Sequence, residues 1–217
     1  MKLAIDFNQI KRYLKYDSND VDRVTLNNIN KAIDIVESMA NYSYLLEFHR
    51  LSLDKNCAII DDKLKFESKD LFTHLKNCDE VVIVVVSLGI EIDYLIRKLE
   101  VQDIALAYVL NAVSVEYIEK YLDYIIENKL KTDKNQTSRF SIGYGDLHLE
   151  FQSKLLNYVE SSKKVGVSVL DTNIMVPSKS ISALIGLSYS KVNSELKKCD
   201  SCLDSGLCSG LCIGKED

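Results

Sequence analysis

Four cysteines close to the C-terminus are the residues whose type and spacing point most directly to chemistry. Cys199, Cys202, Cys208 and Cys212 follow a C-x2-C-x5-C-x3-C pattern, with glycines nearby that allow tight turns. Four thiolates this close together can surround a zinc ion or an iron–sulfur cluster. The spacing matches neither a paired-knuckle zinc ribbon nor the bacterial ferredoxin run, so free thiols on a tail remain the alternative.

A second candidate site is the segment that contains Arg139, Gly143, Tyr144 and Gly145. A planar guanidinium suits a carboxylate, glycine lets the backbone approach a ligand closely, and a tyrosine ring can pack against a flat ring or a cation. Together these residues favour an amino-acid-like ligand with an aromatic part. An ordinary loop with a surface arginine would show the same pattern.

The only proline in the chain, Pro177, is followed closely by Lys179, Ser180 and Ser182. Proline restricts its own φ and extends the residue before it, so this segment bends the chain and places polar donors beside the bend. A solvated turn between two strands is the alternative interpretation.

Two weaker patterns are interpreted as structural. Gly89 follows a strand and precedes a helix, as in phosphate-binding turns, but a dinucleotide fingerprint requires three glycines. His148 lies near Asp146 and Glu150 without a placed nucleophile, so it does not form a catalytic triad.

Hydrophobic periodicity indicates the elements that must position these residues. Residues 81–87, rich in valine and isoleucine, predict a strand buried on both faces, and residues 24–40 and 103–128 predict amphipathic helices. Further strands are predicted at 42–53, 57–60, 64–66, 167–176 and 180–189, further helices at 68–76, 91–100 and 149–161, and a loop at 129–138. Because strands and helices do not alternate regularly, the predicted fold class is α+β, with a mixed or antiparallel twisted sheet flanked by helices. We expect one compact domain over residues 1–190 and a Cys-rich tail over 191–217.

Composition excludes several classes of protein. The 217 residues are 47% hydrophobic and 27% charged, which is typical of a folded domain. The net charge of −5, without a stripe of Lys and Arg, argues against a nucleic-acid partner. No apolar run has the length of a membrane span, and the N-terminus lacks a secretory pattern. We therefore expect a cytoplasmic protein, in which Cys57 and Cys78 are small core residues.

Several of these segments together resemble the activation domain of cobalamin-dependent methionine synthase, and in particular its small stand-alone versions. The resemblance extends over about residues 1–190. It is carried by Arg139-x3-Gly143-Tyr144 and Met175-Val-Pro177-x-Lys179-Ser180, with Ser87-Leu-Gly89 and Ser114-Val-Glu116 upstream.

The resemblance implies that the protein binds S-adenosylmethionine in a shallow groove and acts as the methyl-transfer component in reactivation of cobalamin, within methionine biosynthesis. Arg139 would hold the methionine carboxylate, and Glu116 would meet the ammonium. The remaining residues of the implied site are Ser141, Gly143, Tyr144, Lys179 and Ser180.

The same resemblance implies partners. A methionine synthase or related corrinoid protein would carry the cobalamin, and a flavodoxin or ferredoxin would supply an electron. The reduced cobalt would then attack the sulfonium methyl of S-adenosylmethionine.

The sequence departs from the family pattern in places. Asn111 and Val113 stand where an acid and a glycine are expected, and residues 183–187 replace a tyrosine-bearing stretch, with Tyr189 as a substitute. We identify no cobalamin, folate or homocysteine module in the sequence. The alternative function is that of a metal- or iron–sulfur-carrying redox or interaction protein that uses the cysteine tail.

Overall fold

The computed structural model describes residues 3–16 and 21–192, so the four tail cysteines lie outside the described residues. Its helices, in chain order, are α1 (Phe7–Tyr13), α2 (Arg23–Met39), α3 (Lys69–His74), α4 (Ile90–Gln102), α5 (Ile104–Lys129), α6 (Phe151–Tyr158) and α7 (Ser161–Val165). Its strands are β1 (Ser43–Asp54), β2 (Cys57–Ile60), β3 (Leu64–Glu67), β4 (Glu80–Ser87), β5 (Asn135–Gln136), β6 (Ser168–Val169), β7 (Met175–Val176) and β8 (Ser180–Ser188).

The main sheet is antiparallel throughout its described strands. Its strand order is β3-β2-β1-β4-β8-β5, and β6 and β7 form a separate small antiparallel pair. Helices flank the sheet, so the α+β prediction is confirmed, with antiparallel rather than mixed pairing.

Strand β4 is the centre of the core, as its sequence predicts. Val82, Val84 and Val86 pack with α2, α4 and α5 on one face, whereas Ile83 and Val85 pack with α3, α6 and the β2–β3 hairpin on the other. All residues from 81 to 86 are fully buried. Because each buried valine or isoleucine contributes roughly 1.5–3 kcal/mol, this strand anchors both layers.

Local chemistry explains several element ends. The Ser68 hydroxyl accepts a hydrogen bond from the Leu71 N–H and caps α3, at the start of the helix predicted over residues 68–76. Asp61 and Asp62 both have positive φ in the three-residue β2–β3 turn, and this left-handed conformation matches the right-handed twist of the flanking strands. Cys57 and Cys78 are buried, which confirms their interpretation as core residues.

Some element predictions are wrong, and each error has a local cause. Residues 167–176 do not form one strand, because a turn at 171–173 with Asn173 in the left-handed region folds them into the β6–β7 pair. The predicted helix 149–161 is interrupted at Glu160, which also has positive φ, and α7 follows separately. The predicted loop 129–138 contains β5, because its polar residues reach the edge of β8. Helix α1 has no counterpart among the predicted elements.

Candidate ligand site at the Arg139 loop

Arg139 is positioned by backbone pairing along the edge of β8. The N–H of Thr137 donates to the Gly186 carbonyl at 2.9 Å. Phe140 and Leu184 exchange two backbone hydrogen bonds, at 2.9 and 2.8 Å. Side chains alternate along this extended segment, so Phe140 enters the core layer of α3 and α6 while Arg139 faces α5. The sheet edge therefore determines which way the guanidinium points.

The guanidinium of Arg139 meets two carboxylates on α5. Its Nη2 lies 2.6 Å from Glu119 Oε2, and its Nη1 lies 3.5 Å from Asp123 Oδ1. Both Arg139 Nη1 and Glu119 Oε2 are buried, and apart from these ion-pair contacts neither atom makes a hydrogen bond of good geometry among the described residues. Each atom therefore has remaining capacity to donate to, or accept from, a ligand.

Glu116, Glu119 and Asp123 recur at spacings of three and four, so they lie on one face of α5. Tyr13 of α1 borders this acidic face: burial, together with the charges of Glu119 and Glu116, raises its pKa to about 12, and Arg139 acts in the opposite direction. The cluster therefore joins α1, α5 and the Arg139 segment.

Glu116 differs from its two neighbours in its surroundings. It is 1% exposed, and its Oε1 accepts a hydrogen bond of 2.8 Å from the Asp6 N–H. Burial raises the pKa of Glu116, although the Asp6 N–H and the Lys120 ammonium lower it. The N-terminal segment thus occupies the carboxylate that the resemblance assigns to the ligand's ammonium.

Beyond Arg139 the chain forms a tight turn that contains Ser141, Gly143 and Tyr144. The Gly143 N–H donates to the Leu147 carbonyl at 2.9 Å, and the Tyr144 N–H donates to the Ser141 carbonyl at 3.2 Å. Gly143 has φ of +92°, which side chains rarely adopt, so glycine is required there. The Tyr144 ring is half exposed and contacts the Phe140 ring edge to face, at 6.1 Å between centroids.

Helix α3 holds this turn through Asp70 and His74, two residues that sequence reasoning missed. Gly145 packs directly against the Asp70 carboxylate, which accepts a 3.0 Å hydrogen bond from the Asp146 N–H. His74 Nε2 lies 2.8 Å from the Ser138 carbonyl, and because a carbonyl only accepts, Nε2 carries the proton. Only the fold shows that α3 and this turn meet.

The structure does not bring Lys179 and Ser180 into contact with Arg139. The Lys179 ammonium donates to Asn111 Oδ1 at 2.8 Å, and the Ser180 hydroxyl donates to Ser87 Oγ at 2.9 Å. Asn111 and Glu119 are eight residues apart on α5, so Lys179 and Arg139 meet this helix about 12 Å apart.

The residues around Lys179 are also joined to one another by hydrogen bonds. Asp93 accepts two hydrogen bonds of 2.6 Å from Ser178, one from its N–H and one from its hydroxyl. Burial lowers the pKa of Lys179, while the charge of Asp93 raises it. The segment after Pro177 is therefore tied to α4 and α5 rather than being a solvated turn.

Gly89 and His148, the two weaker candidates from the sequence, have surroundings typical of structural residues. Gly89 lies at the N-terminus of α4, where its N–H donates to Ser87 Oγ at 3.1 Å and Asn41 packs against it. His148 is exposed.

Neither a metal site nor a membrane span is found in the part of the chain that the structure covers. Among residues 3–16 and 21–192, no three Cys, His, Asp or Glu side chains are grouped so that they could hold a metal ion. None of the helices in those ranges is long and apolar enough to cross a bilayer.

Comparison with known proteins identifies the fold. Neither protein-family models nor curated proteins match the sequence. Among solved structures, the MetH reactivation domain bound to AdoHcy matches with a TM-score of 0.66 over 88% of this chain and 76% of that chain, at 16% sequence identity.

The chain has the fold of the MetH reactivation domain. The resemblance found in the sequence is thereby supported by an independent comparison of structures. In this reactivation-domain fold, Arg139, Ser141, Gly143 and Tyr144 lie on one continuous segment, next to the acidic face of α5.

Proposed function

We propose that this protein binds S-adenosylmethionine and supports the reductive remethylation of cobalamin carried by a partner chain. The observation that carries the proposal is the Arg139–Glu119 ion pair, in which Arg139 Nη1 and Glu119 Oε2 lack hydrogen bonds of good geometry, in a fold shared with a domain bound to AdoHcy. An α-amino acid group carries both a carboxylate and an ammonium, and this pair offers a partner to each.

The electrostatics of the site also suit S-adenosylmethionine. The two carboxylates of Glu119 and Asp123 surround a single guanidinium, and Glu116 lies on the same helix face. S-adenosylmethionine carries a sulfonium in addition to its zwitterionic head, so its net charge is positive. An excess of carboxylates favours such a ligand over an anionic one.

The adenosine would lie along the turn after Arg139. Gly143 leaves that turn open on one side, since a Cβ there would meet only Leu149, at 3.5 Å. The half-exposed Tyr144 ring offers a flat surface at the same place. Ser141 and Ile142 contribute backbone to the turn.

In this proposal the protein positions the reactants. Arg139 and the turn hold the ligand in one orientation, which replaces a random encounter by a prearranged one. The partner's cobalamin supplies the nucleophile, and the ligand supplies the methyl group. The partner is a methionine synthase or a related corrinoid protein, and a flavodoxin or ferredoxin supplies the electron.

Isothermal titration calorimetry with S-adenosylmethionine and S-adenosylhomocysteine tests the binding step. We expect wild type to bind both ligands, and Arg139→Ala to bind them about 10–100-fold more weakly, because it loses charge-assisted hydrogen bonds. Arg97→Ala, at an exposed position on α4, is the matched control and should bind as wild type does. Absence of binding by wild type at millimolar ligand would refute the proposal.

Partner and reaction are tested together. We would mix the purified chain with reduced flavodoxin, methyl-labelled S-adenosylmethionine and a cobalamin-binding methionine synthase that lacks a reactivation domain of its own. This mixture should yield labelled methylcobalamin. Omission of this chain should abolish the labelling, and Arg139→Ala should reduce it as much as it reduces binding. Labelling that does not depend on this chain would contradict the remethylation role but not ligand binding.

A further inference from the structure

We infer that Glu119 is the carboxylate that binds the ammonium of the ligand's amino-acid group, and that Asp123 is a positioning residue for Arg139. This inference rests on the proposed function, and it differs from the assignment to Glu116 that the resemblance implies.

The position of Glu119 carries the argument. Its Oε2 lies 2.6 Å from Arg139 Nη2, so any group bound to the guanidinium comes within reach of this carboxylate. Apart from these ion-pair contacts, neither the buried Oε2 nor the buried Arg139 Nη1 makes a hydrogen bond of good geometry within the described residues. Buried polar atoms gain free energy from well-aligned hydrogen bonds, so a ligand that supplies one to each atom binds favourably.

Glu116 is less suited to that role. Its Oε1 already accepts the Asp6 N–H at 2.8 Å, and its side chain is 2% exposed, compared with 27% for the Glu119 side chain. Burial raises the pKa of Glu116, against the lowering effects of the Asp6 N–H and the Lys120 ammonium. Glu116 therefore fastens the N-terminal segment to α5.

Asp123 completes the arrangement from the other side. It lies 3.5 Å from Arg139 Nη1 and is 45% exposed. As the ligand's head enters between Glu119 and Arg139, the carboxylate of the ligand takes Nη1 and the ammonium takes Glu119 Oε2. Asp123 still neutralises the guanidinium and holds it against α5 while the Glu119–Arg139 pair opens.

Ligands with and without the amino-acid head separate this role from a structural one. S-adenosylhomocysteine carries the head, whereas 5′-methylthioadenosine lacks it. We expect Glu119→Gln to weaken S-adenosylhomocysteine binding by about tenfold or more and to leave 5′-methylthioadenosine binding unchanged. Asp123→Asn should weaken S-adenosylhomocysteine binding less, and should likewise spare 5′-methylthioadenosine.

Two further variants serve as controls in the same calorimetric titrations. Glu116→Gln should change S-adenosylhomocysteine affinity less than Glu119→Gln does, and Glu127→Gln, at an exposed position of α5, should leave it unchanged. Three outcomes would overturn the inference. Glu119→Gln could bind S-adenosylhomocysteine as tightly as wild type does, or Glu116→Gln could lose more affinity for it than Glu119→Gln does. Glu119→Gln could also lose affinity for S-adenosylhomocysteine and 5′-methylthioadenosine to the same extent. If wild type binds neither ligand, the proposed function itself fails, and the two failures are thereby distinguished.

Discussion

Asp70 and Asp146 bind each other's backbone. The Asp70 N–H donates to the Asp146 carboxylate at 3.2 Å, and the Asp146 N–H donates to the Asp70 carboxylate at 3.0 Å. Asp146 also accepts hydrogen bonds from the Lys69 N–H, at 2.9 Å, and from the Ser68 hydroxyl. This reciprocal pair fastens the turn after Arg139 to the first turn of α3, and it gives the candidate site a rigid support.

Asp146→Asn should weaken this attachment. Burial alone would raise the pKa of Asp146, but hydrogen bonds from Ser68, Lys69 and Asp70 hold that pKa below its ordinary value. A lowered folded-state pKa stabilises the protein above about pH 4, and this stabilisation is lost as the pH falls further. We expect Asp146→Asn to cost about 1–2 kcal/mol at pH 7 and to flatten the loss of stability below pH 4.

Urea unfolding of wild type and Asp146→Asn between pH 2 and pH 7 measures this difference. Asp171→Asn is the control, at an exposed aspartate in the β6–β7 turn. Equal acid dependence in wild type and Asp146→Asn would contradict the role of the reciprocal pair.

Gly145→Ala should destabilise the protein more than Gly166→Ala. Both glycines have positive φ, at +54° and +70°, and an alanine in that region costs roughly 1–2 kcal/mol. A Cβ at Gly145 would also collide with the Asp70 carboxylate, whereas a Cβ at Gly166 meets nothing within 4 Å. We expect an additional cost of about 1–3 kcal/mol at Gly145, from overpacking and the broken attachment.

Thermal and urea unfolding of the two glycine variants provide the comparison. Because the Asp70–Asp146 pair supports the candidate ligand turn, we expect Gly145→Ala also to weaken S-adenosylhomocysteine binding, and Gly166→Ala not to do so. Equal destabilisation by the two substitutions would show that the turn does not depend on close packing against Asp70.

The protein should lose stability above pH 10, in part through the buried Tyr121. Burial, with further contributions from Tyr44 and Tyr42, raises the pKa of Tyr121 to about 12. An unfolded tyrosine ionises near pH 10, so the unfolded state releases this proton first and stability falls as the pH rises through 10. Tyr121→Phe cannot ionise and should show a shallower decline.

Denaturation midpoints between pH 8 and pH 11.5 for wild type and Tyr121→Phe test this expectation. Tyr94→Phe, at an exposed tyrosine of α4, should follow wild type. A decline of the same steepness in Tyr121→Phe would mean that other groups cause the alkaline loss.

The tail cysteines are predicted to bind a metal independently of the ligand site. Protein purified without oxygen should contain stoichiometric zinc, or iron with acid-labile sulfide, and the double substitution of Cys202→Ser and Cys208→Ser should remove it. Cys57→Ser, in a buried strand, is the control that should retain the metal. Metal-free wild-type protein would contradict the all-thiolate site and remove the alternative redox function.

The sequence by itself determined the elements whose pattern is strong. The valine and isoleucine run at residues 81–86 can only be satisfied by burial on both faces, and it became the central strand β4. The long periodic pattern of α5 and the Ser68 cap of α3 were readable for the same reason: local sequence and burial agree. The Arg-x3-Gly-Tyr pattern predicts a ligand site, and the structure places these residues on one segment.

Only the tertiary structure decided which side chains meet. Helix geometry places Glu116, Glu119 and Asp123 on one face of α5. The pairing of Phe140 with Leu184 at the sheet edge then determines where along that face Arg139 makes its ion pairs. The attachment of the turn to α3 joins residues 76 positions apart, and the Asp6–Glu116 hydrogen bond joins residues 110 positions apart. No local pattern encodes such contacts, because they depend on how two separately formed elements pack.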